Sequence, residues 1–368
     1  MINTAYAPMV DMTCGATVAV DAMGGDLGPA EVVAAIQLGL GSPDWTKLHK
    51  IILTGRQEEL LPLLREAGLE KHPKLVLEHA SDVIAMDEKP KVAFRRKESS
   101  LLRVIDLVRT GQADAAVSCG NTGALMFSST LILKKMSGVE RPALPAVIPS
   151  KNHHFILLDA GAQPETTARQ LAHNAILGEA YARAIFPIEK PRVGLLTIGT
   201  EEGKGTARIA EAHDLLKQLT GEINYIGLIE GFDTFKNVAD VVVCDGFTGN
   251  ILLKTLESMV VTLKDVLKDE FSATPIRKIG ALLNKGSFAS IKKTFSPEHY
   301  AGAPLLGLNG LVVKAHGSSN REFIKSAIRI ACDALEHDMN AHVGDAIEKA
   351  NAFAKSSTEP AASVEFSG

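Results

Sequence analysis

The chain has 368 residues, a length that permits one large α/β domain or two lobes. Its content of 46% hydrophobic and 22% charged residues is typical of a globular protein. A net charge of −4 and an aromatic content of 5% argue against a nucleic-acid-binding protein. The four cysteines form no C-x-x-C pair, so the sequence predicts neither a zinc site nor a disulfide scaffold, and a reducing cytosol fits it best.

In chain order, short apolar segments alternate with longer helical ones. The predicted strands are residues 17–23, 50–55, 74–80, 114–120, 155–161, 192–199, 223–231 and 239–246. The predicted helices include residues 29–40, 56–68, 99–111 and 167–186. Most strand segments are apolar throughout, as strands covered on both faces are, and their alternation with helices predicts parallel pairing. The expected fold class is therefore α/β, with a largely parallel, doubly wound sheet flanked by helices.

The two ends of the chain differ from the rest in composition. Residues 1–16 are expected to be flexible, and they lack the basic start and apolar core of a signal peptide. Residues 346–368 are expected to hold the end of a helix and a disordered tail. No apolar run reaches the roughly 18 residues expected of a membrane-spanning helix.

The first predicted strand ends in a loop of unusual composition. Asp21, Gly24, Gly25 and Asp26 precede Pro29, which suits the first turn of a helix. Glycines permit positive φ angles and let a ligand approach the backbone closely. The loop is either a structural βα turn or one wall of an anion site, and the other loops of the chain favour the second interpretation.

Five further loops carry small and polar residues, most of them directly after predicted strands. They contain Asn121, Thr122 and Gly123; Asp159 and Gly161; Glu201 and Lys204; Asp245, Gly246, Thr248, Gly249 and Asn250; and Lys314, His316, Ser318 and Ser319. In open α/β sheets, ligands bind outside the carboxyl ends of the strands. Taken alone, each loop is explained as well by a helix cap without a ligand as by an anion site. Together, the loops predict a site for an anion at helix N-termini.

The side chains in these loops suit a phosphate-bearing ligand. Lys204 and Lys314 would hold phosphate as point charges, and His316 is a candidate general acid or base. Arg95 belongs to a basic run that is either a solvated face or directed at the site. The chain lacks a P-loop, a G-x-G-x-x-G fingerprint and a G-x-S-x-G elbow, which argues against ATP hydrolysis and a standard NAD site. We therefore expect a reaction without metal or organic cofactor.

Eight motifs occur in a characteristic order, namely VAVDAMGGDLGP, CGNTGALM, ERPAL, LDAGA, GTEEGKG, YIGLIEG, VVVCDGFTGN and APLLGLNGLVVKAHGSSN. Over about residues 17–345 the chain closely resembles the bacterial phosphate acyltransferase (PlsX) family. The resemblance implies a single catalytic domain similar to the phosphotransacetylases and the isocitrate/isopropylmalate dehydrogenases. It also implies a cytoplasmic homodimer that associates peripherally with the membrane. Cys119, Gln163 and Thr200 depart from the usual residues of the family, which leaves individual contacts more in question than the activity.

The resemblance also implies a reaction. Inorganic phosphate would attack the thioester of a long-chain acyl-acyl carrier protein and release acyl phosphate and free carrier protein. A membrane glycerol-3-phosphate acyltransferase would then use the acyl phosphate in phospholipid (phosphatidic acid) synthesis. We expect Lys204, Lys314 and the N–H groups at 121–123 and 248–250 to bind phosphate, and His316 to protonate the leaving pantetheine thiolate. Asp21 and Asp26 are expected to fix their loop rather than to bind phosphate, because bare carboxylates repel a dianion.

Two other functions remain to be weighed at this stage. A decarboxylating dehydrogenase on the same fold would need clustered metal-binding aspartates and a nucleotide loop, and the sequence shows neither. A non-catalytic sensor of acyl carrier protein or phosphate is the alternative, because binding loops survive the loss of chemistry.

The segment at about residues 271–297 is helical, basic and amphipathic in pattern. It contains no Asp or Glu between Phe271 and Pro297, and Gly280 and Gly286 predict two shorter helices. A basic amphipathic segment lies well in an anionic membrane interface. The expected membrane contacts are Ile279, Leu282, Leu283, Lys285, Lys292 and Lys293. A dimer-packing helical hairpin with a solvated basic face is the alternative.

Overall fold

The computed structural model describes residues 15–151, 153–201, 204–219, 221–295 and 302–356. Its strands are β1 Ala16–Asp21, β2 Leu48–Gly55, β3 Leu75–His79, β4 Ala115–Ser118, β5 Ala146–Pro149, β6 His154–Leu158, β7 Arg192–Thr197, β8 Asn224–Glu230, β9 Val241–Val243, β10 Gly302–Pro304 and β11 Leu311–Ala315. Its helices are α1 Pro29–Leu40, α2 Gln57–Glu66, α3 Pro90–Ala93, α4 Ser100–Arg109, α5 Thr122–Ile132, α6 Ala168–Ile185, α7 Ala207–Gln218, α8 Gly246–Ser272, α9 Pro275–Leu283, α10 Lys285–Phe295, α11 Arg321–Glu336 and α12 Met339–Ser356.

The strands form two sheets. The order is β10-β11-β4-β1-β2-β3 in the six-stranded sheet and β5-β6-β9-β7-β8 in the five-stranded sheet. Neighbouring strands are parallel except for β10–β11 and β5–β6. Every residue of β4, β9 and β11 is buried, which explains why the central strands are apolar throughout. The predicted fold class, a largely parallel α/β protein flanked by helices, is confirmed.

All eight predicted strand segments and all four predicted helices form in the described residues. The division of the strands between two sheets was not predicted, and neither were the strands β5, β10 and β11. The expected flexible segment and tail fall mainly on residues 1–14 and 357–368, which lie outside the described residues, whereas Ala16 already belongs to β1. The domain limits stay a prediction.

One hydrophobic cluster contains residues of both sheets. Val20 and Ile51 contribute to it from the six-stranded sheet, and Leu158 and Val193 from the five-stranded sheet. Helix α6 lies beside β6 and β9, and thirteen of its residues are buried. A capping box at Thr167 fixes the start of this helix. The parallel strands whose carboxyl ends carry the predicted site residues are therefore anchored in a packed hydrophobic core.

Helices α8, α9 and α10 bury few of their side chains. In α8 only Gly246 and Gly249, both in the first turn, are buried, and α9 has no buried residue. The segment 276–295 forms two helices whose break lies at Asn284, between the two glycines. Within the described part of the chain, none of the helices combines the length and the apolar character that crossing a membrane requires.

Candidate active site

The loop after β1 is fixed by its own first carboxylate. Asp21 Oδ2 accepts a 2.7 Å hydrogen bond from the Ser118 hydroxyl, and Asp21 Oδ1 accepts one of 3.1 Å from the Met23 N–H. Gly24 packs so closely against Asp21 and Gly120 that a Cβ at this position would overlap both. Both oxygens of the Asp21 carboxylate accept hydrogen bonds, and the bond from Ser118 joins the ends of β1 and β4. The carboxylate is therefore poorly placed as a phosphate ligand.

The same loop contacts the segment after β11. The Asp26 N–H donates a 2.8 Å hydrogen bond to the Gly317 carbonyl, and Gly25 lies beside Cys119 and the same carbonyl. Ser319 is buried, and its N–H donates a 3.0 Å hydrogen bond to the His316 carbonyl. The predicted site residues after β1, β4 and β11 thus form one cluster, which we call the six-strand cluster.

Lys314 is the buried cation of the six-strand cluster. Its ammonium donates to the Cys119 carbonyl at 3.2 Å and also contacts the Ala315 carbonyl. Burial lowers the pKa of Lys314 to about 8, and burial raises the pKa of the neighbouring Cys119 thiol to about 11. Burial therefore disfavours both the thiolate form of Cys119 and the charged form of Lys314.

His316 lies at the exposed edge of this cluster. Its Nδ1 contacts the Ser318 hydroxyl at 2.8 Å and the Ser318 N–H at 3.2 Å. Its Nε2 lies 3.0 Å from the ammonium of Lys254 in α8. Burial, followed by the charge of Lys254, lowers the pKa of His316. Its surroundings therefore favour the neutral imidazole.

Asn121 holds the start of α5 and a neighbouring loop. Its side-chain oxygen caps the helix by accepting from the Ala124 N–H at 2.9 Å. Its side-chain NH₂ donates to the carbonyls of Ala85, Met86 and Glu88 at 2.8–3.2 Å. The first N–H groups of an α-helix have no partner within the helix, so those of Thr122 and Gly123 remain suited to an anion.

The loops of the five-stranded sheet interlock in a second group, the five-strand cluster. Asp159 accepts hydrogen bonds from the N–H groups of Leu144, Gly161, Ala162 and Gln163. Burial raises the pKa of Asp159, and these N–H bonds oppose that shift. This carboxylate is used to shape its own loop.

Asp245 caps helix α8 in the five-strand cluster. It accepts a 2.8 Å hydrogen bond from the Thr248 N–H, and Arg208 forms an ion pair with it at 2.6 Å. The Gly249 N–H donates to the Asp245 carbonyl at 2.9 Å. Two of the N–H groups expected to bind phosphate at 248–250 are thus already used, so the start of α5 is the better anion site.

Glycines and Asn250 complete the packing of these loops. A Cβ at Gly249 would overlap the Asp159 carbonyl oxygen, and the Gly246 N–H donates to the Gln163 carbonyl at 2.9 Å. Gly161 lies against the side chain of Asn250. The loops after β6 and β9 therefore meet, as the sequence predicts for neighbouring parallel strands.

Two of the predicted cations lie outside these clusters. Lys204 forms an exposed ion pair with Glu201 at 3.1 Å in the loop after β7. Arg95 is exposed in the segment that Asn121 tethers. Within the described residues, neither forms a hydrogen bond or ion pair with Lys314 or His316, and their role in phosphate binding stays a prediction.

Lys254 is a site residue that the sequence analysis missed. It lies in α8, which follows β9 of the five-stranded sheet, and reaches His316, which follows β11 of the six-stranded sheet. The available signal was helical spacing, because Lys254 lies one turn after Asn250 on the same helix. Through this contact the two clusters border one site. Within the described residues no group of three or more His, Cys, Asp and Glu side chains is arranged to hold a metal ion.

Sequence comparison decides the family. The model of the Fatty acid synthesis protein family matches residues 16–342. The phosphate acyltransferase of Alcanivorax borkumensis is 41% identical over 332 residues, which cover 90% of this chain and 97% of that protein. The chain belongs to the phosphate acyltransferase family. The phosphate acyltransferase of Parvibaculum lavamentivorans is likewise 41% identical, over 335 residues that cover 89% of this chain and 90% of that protein.

Solved structures agree with this chain in fold. A phosphotransacetylase from Streptococcus pyogenes superposes with a TM-score of 0.58 at 18% identity and covers 88% of this chain and 94% of its own. A phosphotransacetylase from Staphylococcus aureus gives a TM-score of 0.55 at 17% identity and covers 87% and 94%. At this identity the likeness shows the fold alone, and it matches the architecture expected from the sequence.

Proposed function

We propose that the protein transfers a long-chain acyl group from acyl-acyl carrier protein to inorganic phosphate. The observation that carries this proposal is the six-strand cluster, where the buried Lys314, His316 and the start of α5 lie together. Membership of the phosphate acyltransferase family supports the reaction type. The carrier protein and the use of the product in phospholipid synthesis rest on the resemblance alone.

The proposed reaction needs positioning and charge stabilisation more than activation of the nucleophile. Phosphate is already an anion at neutral pH, and Lys314 with the first N–H groups of α5 would hold it. A phosphate oxygen attacks the thioester carbonyl carbon, and the carbon–sulfur bond then breaks. The departing thiolate takes up one proton at the His316 side of the site. No metal or organic cofactor enters these steps.

We also propose two associations for the helical arm formed by α8, α9 and α10. The apolar side chains of α8 would pair with a second copy of the chain. The tip formed by α9 and α10 would rest on anionic lipid, which would deliver acyl phosphate to a membrane glycerol-3-phosphate acyltransferase. Ile279, Leu282 and Leu283 of α9 are exposed, which supports the second contact. Lys285 is exposed at the start of α10, whereas the side chains of Lys292 and Lys293 lie outside the described residues.

The proposed reaction is tested with pure protein, acyl-acyl carrier protein and inorganic phosphate. We expect acyl phosphate, trapped with hydroxylamine, in amounts equal to the free thiol released. The alternative function, a sensor of acyl carrier protein or phosphate, would bind both compounds and release no thiol. His316→Ala and Lys204→Ala should each lower turnover about 10²-fold or more if both residues serve the reaction. Folded variants with near-normal turnover would remove those residues from the mechanism.

A further inference from the structure

Large apolar side chains lie exposed where three neighbouring strands of the five-stranded sheet end. Phe247 follows β9 and is 63% exposed, Ile198 follows β7 and is 84% exposed, and Phe232 follows β8 and is 77% exposed. A single exposed apolar side chain needs no explanation, but a group of them marks a binding site. We call these three residues, together with the exposed Ile251 of α8, the apolar row.

The order of the strands places the apolar row along one edge of the sheet. Strand β7 lies between β9 and β8, and all three are parallel. The last residue of β7 pairs with the last residue of β8, so Ile198 and Phe232 leave the sheet at the same level. Arg208, at the start of the helix after β7, binds the Asp245 cap of α8 at 2.6 Å. The start of α8 therefore adjoins the loop after β7, at the edge where ligands bind in open α/β sheets.

Helix α8 connects the apolar row to the candidate active site. Phe247, Ile251 and Lys254 follow one another at spacings of four and three residues, so they share one face of the helix. The Lys254 ammonium lies 3.0 Å from His316 at the edge of the six-strand cluster. The helix from Lys254 back to Phe247 covers about 10 Å, and two strand spacings add about 10 Å more. The path from Lys254 to Phe232 is therefore about 20 Å long.

The two ends of this path differ in chemistry. The six-strand cluster offers Lys314, His316 and the first N–H groups of α5, which suit a charged reacting group. The apolar row offers hydrocarbon and begins one helical turn from the polar cluster. A molecule with a polar reacting end and a long hydrocarbon chain matches both parts. A short acyl chain would leave most of the row uncovered.

We propose that the apolar row binds the hydrocarbon chain of the acyl donor and makes the enzyme selective for long chains. The thioester lies at the six-strand cluster, and the chain extends along α8 past Phe247 toward Phe232. Each added methylene removes apolar surface of the chain and of the row from water, so longer chains bind more tightly until the row ends. The ammonium of Lys236 lies 4.2 Å from the centre of the Phe232 ring and ends the row with a charge. This inference rests on the proposed function and names the residues that would set its chain-length preference.

The test compares butyryl-, octanoyl- and palmitoyl-acyl carrier protein as donors. Phe247→Ser should lower kcat/KM for the octanoyl and palmitoyl donors about tenfold more than for the butyryl donor, because both longer chains reach this position. Phe232→Ser, at the outer end of the row, should produce such a loss with the palmitoyl donor and not with the octanoyl donor. This gradient with position is expected only if the chain lies along the row.

Leu38→Ser is the matched control. Leu38 is an exposed apolar residue near the C-terminal end of α1. Because α1 begins at the carboxyl end of β1, Leu38 lies toward the opposite edge of the sheet. The variant should show the chain-length profile of wild type. Light scattering on every variant reports whether the association of subunits has changed.

Each outcome supports or overturns the proposal. Palmitoyl-to-butyryl ratios of kcat/KM equal to wild type in both phenylalanine variants would show that the row does not bind the chain. Equal losses with all three donors would assign the row to contact with a second copy if the variants were monomeric, and to folding if they were not.

The proposed function and the apolar row can fail separately. If wild type turned over none of the three donors, the proposed function would fail. Binding of a fluorescent long-chain fatty acid would then decide the role of the row. Binding about tenfold weaker in Phe247→Ser than in wild type would support the row as a site for a hydrocarbon chain. Equal binding by the two proteins would reject it.

Discussion

Lys314 is a buried lysine whose charge lowers the stability of the folded protein. It is 7% exposed, and burial lowers the pKa of its ammonium from its ordinary value of 10.5 to about 8. Between these two values the unfolded chain holds a proton that the folded protein has lost. Raising the pH through this window therefore stabilises the fold through Lys314, by up to about 1.4 kcal/mol per pH unit. Below about pH 8 both states hold the proton, and the contribution no longer changes.

The measurement is urea unfolding of wild type and Lys314→Met at pH 7.5, 8.5 and 9.5. We expect the free energy of unfolding of wild type to rise relative to that of the variant across this series. Lys264→Met, which removes an exposed lysine, serves as the control and should follow wild type. A constant difference between wild type and Lys314→Met would mean that Lys314 titrates normally in the folded protein.

At the scale of elements, Asn121 connects helix α5 to the segment before α3. Its oxygen caps the helix, and its NH₂ group donates to the carbonyls of Ala85, Met86 and Glu88. Asn121→Ala loses both functions and should cost about 1–2 kcal/mol through the cap alone. We also expect faster amide hydrogen exchange at residues 82–98, because the segment is no longer tethered. Urea unfolding and exchange mass spectrometry measure the two effects separately.

Asn121→Asp is the matched variant. Aspartate keeps an oxygen for the Ala124 N–H but has no group that donates to the three carbonyls. It should retain most of the stability of the capped helix and exchange as fast as Asn121→Ala at 82–98. Slow exchange in Asn121→Asp would show that other contacts hold the segment.

The strand-end loops were predictable because parallel strands bring their carboxyl ends to one edge of a sheet. That rule places Asp21, Asn121 and Lys314 together without knowledge of side-chain contacts. It does not say which polar groups bind each other, so it did not show that Asp245, an expected substrate contact, caps α8. Lys254 lies inside a helix, where no strand-end signal marks it.

At the scale of the whole molecule, the sequence predicted one sheet and the structure has two. The reason is that strand pairing depends on long-range contacts that apolar runs do not encode. Val18 of β1, for example, pairs with both Ile51 and Ala115. The periodicity of 276–295 likewise predicted helices without showing that α8 would carry them away from the core.

The arm carries two exposed apolar surfaces that we expect to have different partners. In α8 the exposed apolar side chains include Met259, Val260, Val261, Leu263 and Val266. Met259, Leu263 and Val266 recur at the spacing of one helix face, and exposed apolar surface of this kind marks an interaction site. Helix α9 adds Leu282 and Leu283 in a stretch with basic but no acidic residues, which suits anionic lipid.

Leu263→Glu, at a side chain 56% exposed in α8, should convert a dimer to a monomer at micromolar concentration.

Leu282→Glu, at a side chain 71% exposed in α9, should stay dimeric and no longer float with anionic vesicles at low salt. Lys292→Glu should weaken flotation through charge, and added salt should weaken it in the parent. Light scattering and vesicle flotation measure the two properties on the same samples, so each leucine variant is the control for the other. A parent protein that is monomeric would remove the dimer. Flotation of Leu282→Glu and Lys292→Glu equal to that of the parent would leave α9 and α10 without a membrane role.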